Sequence, residues 1–236
     1  MAKLIDKLYL KATHFGLYFR QHMRPIANII NSFTLAYSGL IVNPSCTILI
    51  NKNAKLEIAT RLFLKERVKV VIEHGGKLVC HGDFVIHPDT TIIIKENAIL
   101  ELGANGFILN SAWIEVPHNG RMVIGDYTTV QLRCMLHGNV EIGDNTLLSP
   151  EVYISSGSHT FDMDPSMTIR EQDNCFKSDS AVKIGSNSWL GIRVYVKPGL
   201  NLSEGTIIGA NSVVTKSTDQ YSIYAGIPAR KIRSYR

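Results

Sequence analysis

Between Ile184 and Thr215 the chain repeats itself every six residues. Each block opens with an aliphatic side chain (Ile184, Leu190, Val196, Leu202, Ile208, Val214), and glycine follows three of them, as Gly185, Gly191 and Gly209. Six is a whole multiple of the strand period of two and does not fit the 3.6-residue period of a helix. Each block therefore reads as a short strand with one inward aliphatic, closed by a tight turn. Such blocks stack as a solenoid, because one block alone cannot bury its apolar residue. The same phase holds upstream at Ile124, Val130, Leu136, Ile142, Leu148 and Ile154, with Gly125 and Gly143 behind two of them. Ordinary strand alternation in a sandwich is the alternative reading of these aliphatics. It gives no reason for twelve tested positions to be aliphatic in a chain that is 45% hydrophobic.

Before residue 124 the six-residue cut fails and a longer phrase replaces it. Asn53-Ala-Lys-Leu-Glu-Ile58, Gly75-Gly-Lys-Leu-Val-Cys80, Asn97-Ala-Ile-Leu-Glu-Leu102 and Asn119-Gly-Arg-Met-Val-Ile124 are copies of one segment. Their spacing predicts wider coils of 22 residues, each with three strands and longer corners. Asn or Gly opens each copy because corners call for positive φ, which those residues tolerate. The expected organisation is wide coils over residues 41–123, tight coils over 124–217 and a closing segment over 218–236, together one domain spanning 41–236.

Residues 1–36 differ from the rest. Leu4, Ile5, Leu8, Ala12, Phe15 and Phe19 recur at helical spacing, punctuated by Lys3, Lys7, Lys11, Arg20 and Arg24, and Pro25 ends or kinks the helix. An amphipathic helix here caps the open end of the solenoid, which such arrays need. It could also lie on an anionic membrane surface through residues 1–24, and the two roles are compatible. No clean apolar core follows the basic N-terminus as a secretory signal would require. A cytoplasmic protein, peripheral at the inner membrane face where the helix touches it, is the expectation.

The net charge of +5 is mild for 236 residues. It suits an anionic ligand, and the chain carries no nucleic-acid-binding signature. Cys46, Cys80, Cys134 and Cys175 are far apart with no Cys-x-x-Cys pair, against a zinc site or a disulfide scaffold. Most of them should be buried small hydrophobes.

A polar stretch, residues 160–181, interrupts the hexads directly after His159, with Asp162, Asp164 and Pro165 as breakers. A loop of this length thrown out of a regular solenoid is uncommon and often functional. After Val214 comes a distinctive phrase, Ala225-Gly-Ile-Pro-Ala-Arg-Lys-Ile232.

The hexads, the Ile184-Gly-Ser-Asn-Ser-Trp-Leu-Gly191 segment and the Ala225–Ile232 phrase together resemble the hexapeptide-repeat acetyltransferases, and among them the enzymes that O-acetylate sugars and bacterial surface polysaccharides. The resemblance implies an all-β solenoid wound as a left-handed parallel β-helix, with an N-terminal helical segment and a loop extruded after residue 159. It implies acetyl-CoA as acyl donor, no metal, a sugar or glycan acceptor, and a homotrimer with its sites between subunits.

By the same resemblance His159 is the general base, histidine being suited to the role by a pKa near neutrality. His137, 22 residues earlier, is a second candidate. Asp162 could orient His159, and Trp189 would wall the acceptor site. Gly191, Ala210 and Thr215 would flank the pantetheine arm, Ile227 and Pro228 the adenine, and Lys216, Arg230 and Lys231 the phosphates. The pattern is broken where Ser203 follows Leu202 and Lys197 follows Val196. Alternatives are an N-acyltransferase acting on an amino-sugar nucleotide, a metal-dependent carbonic anhydrase-like solenoid, and a non-catalytic binding scaffold.

Overall fold

A computed structural model describes residues 39–175 and 178–236. The expected helical segment over 1–36 lies outside them. The described chain is a parallel β-solenoid, which bears out the expected all-β coiled architecture. Its strands fall into three sheets of ten, eight and seven strands, visited in the same cyclic order by each coil, plus a two-stranded ribbon. The first sheet holds Leu62–Leu64 and Trp189–Leu190, the second Met135–His137 and Tyr153–Ser155, and the third Arg121–Ile124 and Val182–Ile184.

Register shows how the coils stack. In the N-terminal half Leu40 pairs with Leu62, Leu62 with Phe84, and Lys55 with Lys77. In the C-terminal half Met122 pairs with Val140, Thr129 with Leu147, and Tyr195 with Val213. The interval shortens from 22 to 18 residues as the corners tighten. All twelve aliphatics that open the hexads point inward and are at most 2% exposed. With the 22-residue columns they form one continuous core. At about 25 cal/mol per Å² of apolar surface removed from water, this core is the main force holding the coils together.

The corners are built as the residue types required. Asn53, Gly75, Asn97 and Asn119 all have positive φ, between 55° and 67°. The glycines behind the hexad aliphatics have a packing cause. A Cβ on Gly143 would lie 2.5 Å from Ser186 Oγ, one on Gly185 2.5 Å from the Glu204 amide nitrogen, and one on Gly191 2.7 Å from the Ala210 amide nitrogen. The coil above sits too close for any side chain. Where the pattern breaks, the surroundings differ. Ser203 meets the closing segment, donating its N–H to Thr218 Oγ1 (3.0 Å) and its hydroxyl to Thr218 O (2.7 Å). The chain ends as an antiparallel hairpin, Ser222–Gly226 with Ala229–Ser234, on the first sheet.

Cys46, Cys80 and Cys134 are buried and Cys175 is exposed. Burial pushes the Cys80 thiol up to about 11 and the Cys134 thiol up to about 12.

Gly185→Ala sets a methyl against backbone that cannot swing aside. It should cost about 1–3 kcal/mol, read as a lowered midpoint of denaturant unfolding, whereas Ser203→Ala should cost less.

Candidate active site

The three sheets enclose a triangular cross-section, and His159 stands at the corner between the second and third. The strand Tyr153–Ser155 leads to it and pairs with Met135–His137 on one side and Tyr195–Val196 on the other. Here the coil is broken open. The loop leaves and returns through a short antiparallel ribbon in which Gly157 pairs with Asp179 and Ser158 with Ser178. Buried Ser156 anchors the base. Its hydroxyl donates to the Asp179 carboxylate and accepts from the Asn139 N–H (2.8 Å), while Asn139 Nδ2 donates to Asp179 Oδ2 (2.6 Å). Gly138, at φ +108°, lets the two coils meet, since a Cβ there would overlap the Ser156 hydroxyl.

The loop contains a helix, Ile169–Cys175, that the breaker residues did not suggest. Its start is a capping box. Thr168 Oγ1 accepts from Glu171 N–H (3.3 Å), and Glu171 Oε2 accepts from Thr168 N–H and its hydroxyl (2.8 Å each). The Thr168 N–H and hydroxyl hold the Glu171 carboxyl below its usual range. Thr168-Ile-Arg-Glu171 was the available signal.

This helix returns an acid to the histidine. Asp173 Oδ2 lies 2.8 Å from His159 Nδ1, and Asp173 Oδ1 accepts from the Thr160 N–H at 3.2 Å. Asp162, which could orient His159 or simply stand exposed in the loop, is exposed. The helix brings Asp173 back to the ring. The His159 side chain is 86% exposed.

The remaining candidates divide between the corners. His137 is exposed at the end of its strand, level with Ser155 in the register, and so lies one coil from the loop base. Thr215 and Lys216 follow Val213–Val214 on the same second-to-third corner, Lys216 exposed. Gly191 and Ala210 stack at the first-to-second corner. Trp189 lies on the outer face of the first sheet, 48% exposed, with Nε1 donating to Ser149 Oγ at 2.9 Å. That side of the triangle is opposite the His159 corner, so the core separates the two within one chain. Ile227 and Pro228 sit exposed at the tip of the closing hairpin, and Arg230 is exposed beside them. Lys231 pairs with Asp219 Oδ2 at 2.8 Å, which raises the ammonium and lowers the carboxyl from their ordinary values. An open depression of about 630 Å³ lined by Arg61, Gly82, Asp83 and Ala104 lies on the third-to-first corner of the wide coils, away from all of these.

Comparison with known proteins finds relatives over part of the chain. The galactoside O-acetyltransferase of Escherichia coli K12 is 32% identical over 111 residues, which is 47% of this chain and 46% of that protein. The chain is similar to O-acetyltransferases. A second E. coli K12 protein, named for O-acetyl transfer in lipopolysaccharide biosynthesis, is 37% identical over 100 residues, 41% of this chain and 51% of that one. The chain thus spans about half the length of these curated relatives. The solved UDP-N-acetylglucosamine O-acyltransferase of Moraxella catarrhalis shares the fold, with a TM-score of 0.52 at 16% identity over 81% of this chain and 71% of that one. No protein-family model matches the chain.

Thr168→Ala removes the helix cap at a cost of about 1 kcal/mol. Amide exchange in residues 160–175 should speed up while global unfolding stays unchanged.

Proposed function

We propose that this chain is an acetyl-CoA-dependent O-acetyltransferase acting on a hydroxyl of a sugar or surface polysaccharide. The carrying observation is an exposed histidine, held by a carboxylate at the mouth of an extruded loop, in a solenoid similar to O-acetyltransferases. His159 is the general base: with Nδ1 turned to Asp173, its Nε2 takes the proton of the acceptor hydroxyl as that oxygen attacks the donor carbonyl. The same proton then leaves with the thiol, so the histidine ends as it began.

Acetyl-CoA supplies the activated acyl group. This chain offers the donor small residues at Gly191 and Ala210, and exposed cations at Lys216 and Arg230 for its phosphates. Lys231 contributes less charge than its position suggested, because Asp219 already neutralises it.

The acceptor wall comes from a second copy of the chain. Trp189 and His159 cannot share a site within one chain, being on opposite parts of the triangle. Two faces also carry outward apolar columns: Phe107, Trp189 and Ile207 on the first sheet, and Trp113, Met135, Tyr153 and Tyr195 on the second. The third face instead carries ion pairs such as Arg121–Glu101 and Lys183–Glu141. Packing the first face of one copy against the second face of the next is a head-to-tail contact, which can close into a ring, and the assembly we propose is a ring of three. Within the ring Trp189 approaches the His159 corner of its neighbour, and the flat indole offers a surface for a sugar ring.

No described helix is long and apolar enough to cross a membrane. Action in the cytoplasm, with residues 1–24 against the inner membrane face, completes the proposal.

The direct test is thiol release from acetyl-CoA with a panel of galactosides and oligosaccharides, with mass spectrometry for the gain of one acetyl group. Wild type should turn over and His159→Ala should lose at least about 10²-fold. Thiol release no greater than the mutant's on every acceptor would favour a binding scaffold. Light scattering should give three 26.2 kDa chains. Met135→Glu, which sets a charge in the apolar column, should reduce the mass toward one chain.

A further inference from the structure

We propose that Asp173 is the positioning residue for His159, and that Gln172 is the pin that delivers it; this rests on reading His159 as the base. Within one chain, a side chain 86% exposed has little of its own packing to hold its ring. Orientation must come from a bond, and the Asp173 carboxylate provides it. That carboxylate is itself fixed at two points, with Oδ2 on His159 Nδ1 (2.8 Å) and Oδ1 on the Thr160 N–H (3.2 Å). A neutral imidazole carries one ring proton. With that proton on Nδ1 facing a carboxylate, Nε2 keeps its lone pair and can accept the substrate's proton.

Three other acids of the loop have different duties. Asp164 accepts from the Ser166 N–H (2.9 Å) and hydroxyl (2.7 Å), Glu171 caps the helix, and Asp179 holds the loop base.

Gln172 explains why Asp173 arrives in place. It is 2% exposed in a loop whose other described residues from 160 to 175 are exposed or half-buried, and both ends of its amide are used. Oε1 accepts from the N–H groups of Met163 (2.8 Å) and Asp164 (3.0 Å), while Nε2 donates to Phe161 O and Met167 O (3.1 Å each). The amide therefore ties the helix that carries Asp173 to the arm that leaves His159. A carboxylate of the same shape keeps the two acceptor bonds but puts an oxygen against the two carbonyls, which opens the tie. Order in the loop and readiness of the base are one property.

The test compares Asp173→Asn, Gln172→Glu and His159→Ala with wild type by two independent readouts. The first is the ring ¹⁵N spectrum of histidine-labelled protein, with His159 assigned by its loss in His159→Ala. Wild type should show the neutral ring protonated on Nδ1. Asp173→Asn and Gln172→Glu should move the proton toward Nε2. The second is thiol release from acetyl-CoA with a galactoside acceptor. Asp173→Asn should lower kcat on the order of 10²-fold, leaving KM for acetyl-CoA and the unfolding midpoint unchanged. Gln172→Glu should lower kcat less and also speed loop exchange. An unaltered His159 spectrum in Asp173→Asn overturns the positioning role, as does an unaltered kcat where His159→Ala is inactive. If His159→Ala turns over like wild type, it is the base reading that fails, and the ring spectra alone decide whether Asp173 orients the imidazole.

Discussion

The structure depends on backbone hydrogen bonds from each coil to the next, such as Lys77 N–H to Ala98 O (2.8 Å), Thr129 N–H to Thr146 O (2.9 Å) and Tyr195 N–H to Ser212 O (3.0 Å). These bonds run along the solenoid, so equivalent residues of successive coils lie directly above one another. The sequence period is then simply the length of one coil. Every choice of residue becomes a choice about its neighbours one coil away. Gly143 and Gly185 lack side chains because the next coil lies within 2.5 Å of where a Cβ would be. Corner charges become ladders, as where Glu151 accepts from Arg193 Nε (2.6 Å) on one side and Arg133 Nε (3.0 Å) on the other. The two guanidinium groups keep the Glu151 carboxyl below its usual range. The ladder is solvated, so its gain is small beside that of the core.

The same stacking dictates where chemistry can occur. The inside of the triangle is filled with aliphatic side chains, which leaves no room there for a substrate. Reactive groups must sit on corners or outer faces, and an excursion from the stack must be tied back at its base. The loop after His159 meets this requirement through buried Ser156, with Asn139 and Asp179 closing the mouth. Strand pairing across the gap continues undisturbed, for Tyr153 pairs with Tyr195 and Leu147 with Trp189 although 42 residues separate the partners. The solenoid therefore tolerates the loop without losing register, and the loop can be shaped for function alone.

The coils were legible in the sequence because their determinants are local and repeated. Hexad aliphatics, corner asparagines and the 22-residue phrase each recur, so a single copy need not be decisive. The loop has no repeat to supply that evidence. Its helix was signalled once, by Thr168 and Glu171, within a stretch whose breakers pointed to irregular chain. Asp162 was the acid nearest His159 in sequence. The acid nearest in space is Asp173, and that depends on Gln172 folding the loop on itself, a tertiary event that no spacing rule encodes. Lys231 illustrates the same limit, since its partner Asp219 lies across the closing hairpin. Nor does one chain's sequence reveal that His159 and Trp189 lie on opposite parts of the triangle. That follows only once the coil phase assigns each to its sheet.

In the proposed assembly one site is made from two copies, His159 from one and Trp189 from the next. Subunit complementation tests it most directly. His159→Ala and Trp189→Ala chains, each inactive alone, would be unfolded together and reassembled, and thiol release from acetyl-CoA measured with a sugar acceptor. Random reassembly into rings should restore about one quarter of wild-type activity, the share of sites that receive an intact residue from each neighbour. Activity no higher than that of either variant alone would show that the two side chains do not meet across an interface.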